Sequence, residues 1–309
     1  MPQPVVVQVV VDKPLAKGFD YLWDSKTLGC LPEIGHLVEV PFGRSSLVGI
    51  ITKVGAHSEY EIEKLKPVSQ LAPLPALDAA TLRLVNFASQ YYIHGLGETI
   101  IPTIPQMWKK FENWKKIPQK LIAAQEKKKK NNQQEKAEGY IEEAKLNEGQ
   151  AQALASLCAS SQKRIFKAML LQGQTGSGKT AVFLNWLSQV LHDESAQVLI
   201  LVPEINLTPQ LERRVRAYFP DKKMVVLHSG VTEKERGIAW YESMTGKAQI
   251  ILGTRLAALT PIPNLSAIVV DEEHDPSFKQ HERPPRYNAR ESAIWLAKMH
   301  GAKTILGSA

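Results

Sequence analysis

Cysteine is nearly absent: Cys30 and Cys158 are the only two in 309 residues. They lie far apart without ligand-like spacing, so this chain cannot supply a four-cysteine zinc site. Sparse cysteine of this kind suits a reducing cytosol. No apolar run approaches the roughly 18 residues that span a bilayer. The apolar stretch Val5–Val11 is broken by Gln8 and lacks a basic leader, which argues against a secretory signal. Acidic residues are the minority charge, 31 against 38 basic, for a net charge of +7. A basic balance points to a polyanionic partner. Residues 106–145, however, hold eleven Lys against six Glu. A Lys-rich stretch of this texture is commonly a solvated spacer and not a binding face.

What is present is the balance of a globular chain, 44% hydrophobic and 22% charged, long enough for about two domains. Residues 1–105 carry short strand-like runs, Val5–Val11, Phe19–Trp23, His36–Val40 and Leu47–Val54, punctuated by Lys17-Gly18, Pro32, Gly35 and Pro41-Phe42-Gly43. They predict a small barrel or sandwich. Helical spacing of Leu82, Leu84, Val85, Phe87 and Ala88 predicts a helix over Leu77–Tyr92. Residues 106–145, rich in Lys, Gln, Asn and Glu, read as a linker or an exposed helix. From Leu146 strands and helices alternate. Strands are expected at Ala168–Leu171, Val198–Val202, Met224–Leu227, Ile250–Leu252, Ala267–Val270 and Thr304–Leu306. Helices are expected at Lys179–Leu191, Pro209–Phe219, Glu233–Met244 and Arg290–Met299. The strands are continuously apolar, the pattern of a parallel sheet covered on both faces.

Gly173–Thr180 reads Gly-Gln-Thr-Gly-Ser-Gly-Lys-Thr, a complete phosphate-binding P-loop between a strand and a helix. Gly173, Gly176 and Gly178 let the backbone curl its N–H groups inward, with Gln174, Thr175 and Ser177 between them. The helix beginning near Lys179 adds its positive end. Lys179 is the candidate contact to the β- and γ-phosphates of ATP, and Thr180 a candidate ligand for Mg²⁺. The second phrase, Val-Val-Asp-Glu-Glu-His at Val269–His274, follows a buried strand. Asp271 would reach the metal's water shell, and Glu272 would orient and deprotonate the attacking water. Asp-Glu-x-His, ending here at His274, is the form found in nucleic-acid motors.

Further polar clusters stand at strand C-terminal ends, where α/β sheets place functional loops. They are Pro203-Glu204, Thr208-Pro209-Gln210, His228-Ser229-Gly230 and Gly253-Thr254-Arg255. In a translocating enzyme, Thr208, Thr254 and Arg255 would contact backbone phosphate. Helix capping by Thr and Ser is an equal reading of each cluster. Residues 277–288 mix Phe278 and Tyr287 with Lys279, Arg283 and Arg286. That combination suits base stacking with phosphate contact, and its position after His274 would let it report DNA to Glu272. A Pro-stiffened surface loop is the alternative.

These motifs resemble those of the bacterial replication-restart DNA helicases of the PriA (primosomal protein N′) family, in helicase superfamily 2. The resemblance is carried by Leu146-Asn147-Glu148 with Gln150, the P-loop, Val202-Pro203-Glu204-Ile205, Leu227-His228-Ser229-Gly230, Gly253-Thr254-Arg255, Asp271–Asp275, Tyr287-Asn288-Ala289-Arg290 and Leu306-Gly307-Ser308-Ala309. It implies a RecA-like ATP-binding lobe over residues 146–309, with Gln150 among the nucleotide contacts. Phe19-Asp20-Tyr21, Val40-Pro41-Phe42-Gly43, Leu65-Lys66-Pro67-Val68 and Tyr91-Tyr92 resemble the family's OB-like β-barrel for the 3′ end of DNA. That likeness implies a 3′-nucleotide pocket of Phe19, Asp20, Gly43 and Lys66. Alternation alone would make Phe19 and Tyr21 strand core.

The resemblance also implies forked DNA, primosome proteins and single-strand-binding protein as partners in the bacterial cytoplasm, at the nucleoid. Two departures qualify it. The low-complexity residues 106–145 stand where the family has a winged-helix domain. The sequence also stops after its last strand, before a second lobe with its arginine finger and a cysteine-rich zinc module. The expectation is therefore a fragment of a 3′-to-5′ helicase that binds ATP weakly, turns it over slowly and does not unwind DNA unaided. A non-catalytic fragment docking on 3′ ends is the alternative; a P-loop enzyme of RNA or of protein complexes is a more distant one.

Overall fold

A computed structural model of the protein describes residues 5–15, 17–117, 146–159, 165–174, 176–282 and 285–309. The chain divides into two units, Met1–Lys127 and Lys128–Ala309.

In the first unit, β1 (Val5–Val11), β2 (Phe19–Trp23), β3 (Leu37–Phe42), β4 (Ser45–Val54) and β5 (Gln70–Leu71) form one antiparallel sheet in the order β2-β1-β4-β3-β5. Alternation sends Val7, Val9 and Val11, Tyr21 and Trp23, Val38 and Val40 into a shared core. Inside it, the Tyr21 hydroxyl donates to the Pro41 carbonyl at 3.1 Å. One short segment closes the sheet. Leu22 N–H donates to the Lys66 carbonyl, Val68 N–H to the Leu22 carbonyl, and Ser69 N–H to the Glu39 carbonyl, at 2.9–3.0 Å. Residues 66–71 thus run from β2 to β3 and leave neither edge bare. Of the two expected forms the barrel is the one found.

Helix α1 (Ala79–Tyr91) starts at Asp78, whose carboxylate accepts from the Ala80 and Thr81 N–H groups. It buries Leu84, Val85 and Ala88. The structured part then continues past residue 105. Short helical turns at Gln106–Lys109 and Phe111–Lys116 bury Trp108, Trp114 and Ile117, and Trp114 Nε1 donates to the Trp108 carbonyl at 2.9 Å. The linker reading therefore does not hold for residues 106–117: two tryptophans supply enough apolar surface to fix the segment despite its lysines. The rest of that expected linker lies outside the described residues.

The second unit is a six-stranded sheet of β6 (Lys167–Gln172), β7 (Gln197–Leu201), β8 (Met224–Leu227), β9 (Ile250–Gly253), β10 (Leu265–Val270) and β11 (Lys303–Ser308). All its pairings are parallel, in the order β6-β11-β10-β7-β9-β8. Strands β7 and β9 are buried at every position, as continuous apolar strands between helices should be. Edge strand β6 leaves Ala168 and Leu170 exposed. The helices are α2 (Glu148–Ala159), α3 (Lys179–Val190), α4 (Pro209–Tyr218), α5 (Glu233–Met244) and α6 (Ala289–His300). Helix α2 has no counterpart among the sequence expectations. Its core face is short, Ala153, Leu154, Leu157 and Cys158 with Leu157 alone fully buried, so its periodicity is faint. Loops after β6 and β10 open on the same C-terminal edge, separated by β11 alone.

Candidate ATP site and nucleic-acid surfaces

The P-loop begins where β6 ends. Gly173 N–H donates to the Ser308 carbonyl at 3.0 Å, and Ser177 N–H to the Gln174 carbonyl at 3.0 Å. Gly178 caps α3 with φ +85° and no side-chain hydrogen bond, so the first N–H groups of α3 stay available for an anion. Only glycine fits there: the positive φ disfavours a side chain, and a Cβ would strike the Gln150 amide. That amide donates from Nε2 to the Ser177 carbonyl at 2.8 Å. Asn147 and Gln150 exchange side chain-to-backbone bonds at 2.9 Å, which fixes the start of α2. Gln150 is thereby tied to the loop it was expected to serve. Gly176, at φ +82°, turns into open space, and Thr180 is half-buried. Thr175 lies outside the described residues.

Lys179 is buried, and its Nζ donates to the Gly173 carbonyl at 2.6 Å. The same Nζ stands 3.6 Å from Glu272 Oε1. The other Glu272 oxygen is 3.8 Å from His274 Nε2. Glu272 itself has φ +47°, a left-handed conformation that a non-glycine residue takes at some cost. The turn is held from outside: Asp271 N–H donates to Leu201 O (2.9 Å), and Glu273 N–H to Gly307 O (2.8 Å). Burial, and secondarily the neighbouring Glu272 charge, pushes the Asp271 carboxyl above its ordinary range. Topology has therefore brought Lys179, Asp271, Glu272 and His274 to one strand edge.

The other candidates divide. Thr208 is exposed and caps α4, accepting from the Leu211 N–H at 3.3 Å. Arg255 is half-buried, with Nη1 3.5 Å from the Lys279 carbonyl. Lys279 Nζ reaches the Arg286 carbonyl, and Arg286 is exposed. Thr254 is different: it is 1% exposed, and its hydroxyl has no partner among the described residues. A phosphate cannot reach that side chain in this conformation. The stacking expectation for the loop after β10 also needs correction. Phe278 and Tyr287 are 1% and 5% exposed. The Tyr287 hydroxyl donates to the Arg255 carbonyl at 3.0 Å, and burial raises its pKa to about 12. Gln280 N–H donates to the Tyr287 carbonyl at 2.9 Å, closing the loop's base. The two rings anchor this loop from below and offer no face to a base; Arg286 remains at the surface and Lys279 is half-exposed.

On the barrel, Phe19 is 36% exposed at the start of β2 and packs edge-on against Phe42, ring centres 5.3 Å apart. Gly43 follows Phe42 in the β3–β4 turn with φ +60° and open space where a side chain would be. Asp20 accepts from the Ser58 hydroxyl at 2.8 Å, while its Oδ1 is buried without a partner among the described residues. The Lys66 backbone forms the barrel seam and its side chain is exposed.

A family model described as DEAD/DEAH box helicase matches residues 147–309, and one described as 3′ DNA-binding domain (3′BD) matches residues 8–105. The chain belongs to the DEAD/DEAH box helicase family. Similar proteins agree on the resemblance to PriA. The replication restart protein PriA of Haemophilus influenzae is 31% identical over 366 residues, covering 98% of this chain and 49% of that protein. PriA of Synechocystis sp. is 47% identical over 144 residues, covering 47% of this chain and 17% of that protein. The chain spans about half or less of the length of these relatives. The UvsW helicase of bacteriophage T4 superposes with a TM-score of 0.39 at 16% identity, covering 54% of this chain and 53% of that one.

Some contacts in the helicase lobe had no sequence signal as site elements. A Cβ on Gly307 would meet Asp271 Oδ1 at 2.9 Å, so β11 presses against the acidic pair. Arg290 Nη1 binds Glu273 Oε2 at 2.7 Å and its carbonyl at 3.2 Å, tying α6 to the same turn. Among the described residues, no group of three or more His, Cys, Asp or Glu could hold a metal ion, and no helix is long and apolar enough to cross a membrane.

Proposed function

We propose that this chain carries the 3′-end-binding barrel and the ATP-binding lobe of a 3′-to-5′ DNA helicase of replication restart. The observation that carries this reading is Lys179 Nζ lying 3.6 Å from Glu272, beside Asp271 on one strand edge. A phosphate-binding lysine and a candidate general base already share one small space.

The donor set fits magnesium-ATP. Mg²⁺ dehydrates reluctantly and takes few protein ligands besides phosphate oxygens and water, so one carboxylate and one hydroxyl suffice. Asp271 and Thr180 would hold it, and bound magnesium would neutralise charge on the β- and γ-phosphates. The N-terminal N–H groups of α3, with the P-loop amides of Gly176 and Gly178, would cradle phosphate oxygens. Lys179 would exchange the Gly173 carbonyl and Glu272 for phosphate oxygens. Glu272, freed on that side, would orient a water and take its proton, with His274 against its second oxygen. Arg255, Lys279 and Arg286 would follow the DNA backbone, and Thr208 would do so from the end of α4. Phe19 would stack on a 3′-terminal base, Gly43 would allow close approach, Asp20 would accept from the 3′-hydroxyl, and Lys66 would pair with phosphate.

In a full-length enzyme of this type, the barrel would find the 3′ end at an abandoned fork while the motor unwinds and primosome proteins and single-strand-binding protein assemble. The setting would be the bacterial cytoplasm, at the nucleoid. For the 309-residue chain we propose DNA docking with slow ATP turnover. The test is ATP hydrolysis with and without forked DNA, beside Lys179→Ala. DNA-stimulated turnover that the substitution abolishes supports a competent lobe. Fork binding without turnover assigns the chain to docking, and failure to bind either ATP or DNA overturns the reading.

A further inference from the structure

The first unit contains a cleft of about 1010 Å³ that takes in Phe19 and Asp20 of the end-binding reading and extends well beyond them. Its floor is the outer face of the barrel. Odd-numbered residues of β1 point into the core, so Gln8 and Val10 point outward and line the cleft, joined by Thr52 of β4. Its wall is α1. Leu84, Val85 and Ala88 already serve the core, whereas Leu82, Arg83, Asn86, Phe87 and Gln90 line the cleft. They recur at helical spacing and form a second stripe. Arg83, Asn86 and Gln90 are exposed beside the half-buried Leu82 and Phe87, so this stripe presents polar groups and a ring to the cleft.

Two carboxylates, Asp20 and Glu59, and several aliphatic side chains also line the cleft, and three further kinds of chemistry bear on what it would hold. Cations stand at its rim: Lys17, Lys53 and Arg83. Aromatic rings line it: Phe19, Phe87 and Tyr60, the last 67% exposed. Amides of Gln8, Asn86 and Gln90 supply both donors and acceptors. Rings for bases, cations for phosphates and amides for base edges are the parts of a single-strand groove. A duplex would find no use for the rings, because its bases are stacked on one another. The aromatic line also continues past the cleft. Phe87 stacks on Tyr91 with centres 5.4 Å apart, and Tyr91 meets Tyr92 edge-on at 4.9 Å. The volume is at the top of the roughly 300–1000 Å³ typical of small-molecule pockets, which suits a chain passing through.

We propose that this cleft is a track for single-stranded DNA. Phe19 and Asp20 line it, whereas Gly43 and Lys66 do not. The terminal nucleotide would therefore sit at the Phe19 end, and the nucleotides behind it would pass between the barrel face and α1 toward Tyr91. Only this direction rests on the 3′-end reading.

The test is fluorescence anisotropy of the full chain with oligothymidylates of two and twelve nucleotides. Variants are Arg83→Glu and Tyr60→Ala, both at exposed positions, with Phe19→Ala as the end-site control. Arg83→Glu should weaken the twelve-mer about ten-fold and flatten its salt dependence by about 0.7 or more in slope. The dinucleotide should be bound as by wild type. Tyr60→Ala should cost the twelve-mer about five-fold or more. Photo-crosslinking of the twelve-mer should label Tyr60 or Phe87. Wild-type affinity of both variants for the twelve-mer, with crosslinks elsewhere, overturns the track. If wild type ignores the difference between a 3′-hydroxyl and a 3′-phosphate while Arg83→Glu still weakens binding, the end reading falls and the track stands. Failure of wild type to bind any single strand overturns both.

Discussion

The barrel and the helicase lobe place their candidate functional residues by opposite means. The lobe holds them where parallel strands end, inside a frame that is buried on both faces. Lys179 is buried, Asp271 is half-buried, and Glu272 sits on a strained turn that two other strands, β7 and β11, help to hold. The barrel holds its candidates on the outside. Phe19 is at a strand's first position, Gly43 in a hairpin turn, and Lys66 on a seam whose bonding is all backbone. Chemistry that needs a low dielectric is built into the lobe's core; recognition that needs only access is laid on the barrel's skin. Substitutions should therefore couple activity to stability in the lobe and leave stability alone in the barrel.

The sharpest way to break this contrast is Lys179→Ala. It should lower DNA-stimulated ATP hydrolysis by about 10²–10³-fold or more and leave fork binding by the barrel unchanged, as judged by a turnover assay beside anisotropy. Phe278→Ala comes next. If the ring is an anchor and not a stacking platform, denaturant melts should show a loss of about 3–5 kcal/mol. A normal melt with weakened DNA binding would restore the stacking role. Phe19→Ala should cost the barrel about ten-fold in affinity for a 3′-ended strand, with an unchanged melting temperature. A large drop in stability would mean that the ring is core after all.

Asp271→Asn tests the cost of desolvation. The folded carboxyl holds its proton more tightly than the unfolded one, so its stabilisation is present at acid pH and is lost as pH rises through the raised value. At pH 7 the ionised group is a burden. The variant should melt about 2–4 °C above wild type there, with the gap closing as pH falls toward the ordinary carboxylate range, even though ATP turnover is lost. The smallest effect belongs to Tyr287→Phe, about 1 kcal/mol from the lost bond to the Arg255 carbonyl.

The sequence made the lobe legible because its motifs and its topology state the same thing. A glycine-rich run after a strand and an acidic pair after a buried strand each have one natural place in a parallel sheet. The loop after β10 reads as solvent-facing because Phe278 and Tyr287 sit among cations and prolines. A signal was nonetheless present: Tyr287 directly precedes the α6 cap Asn288, the place where a hydrophobic residue packs against the helix's first turns. Phe19 shares the alternation of Tyr21 and Trp23, so its exposure depends on where the strand begins, which no pattern marks. Helix α2 carries a faint signal because its core face is short, with Ala153, Leu154, Leu157 and Cys158, while further alanines lie on its exposed face. Residues 106–117 were absorbed into a lysine-rich run although two tryptophans in them needed burial. Gly307 had no signal of its contact with Asp271, since the contact exists only after β11 is inserted between β6 and β10.

That insertion carries a mechanical meaning. Ser308 holds the first amide of the P-loop, Gly307 holds the amide after Glu272, and both bonds leave the same strand end within two residues. The loop that grips phosphate and the turn that presents the base are thus fastened to one tie bar. A pull along β11 would slacken both fastenings at once, and a push would seat both. Any force delivered through this strand would be felt at the site as a single stroke, with grip and chemistry engaged or released together.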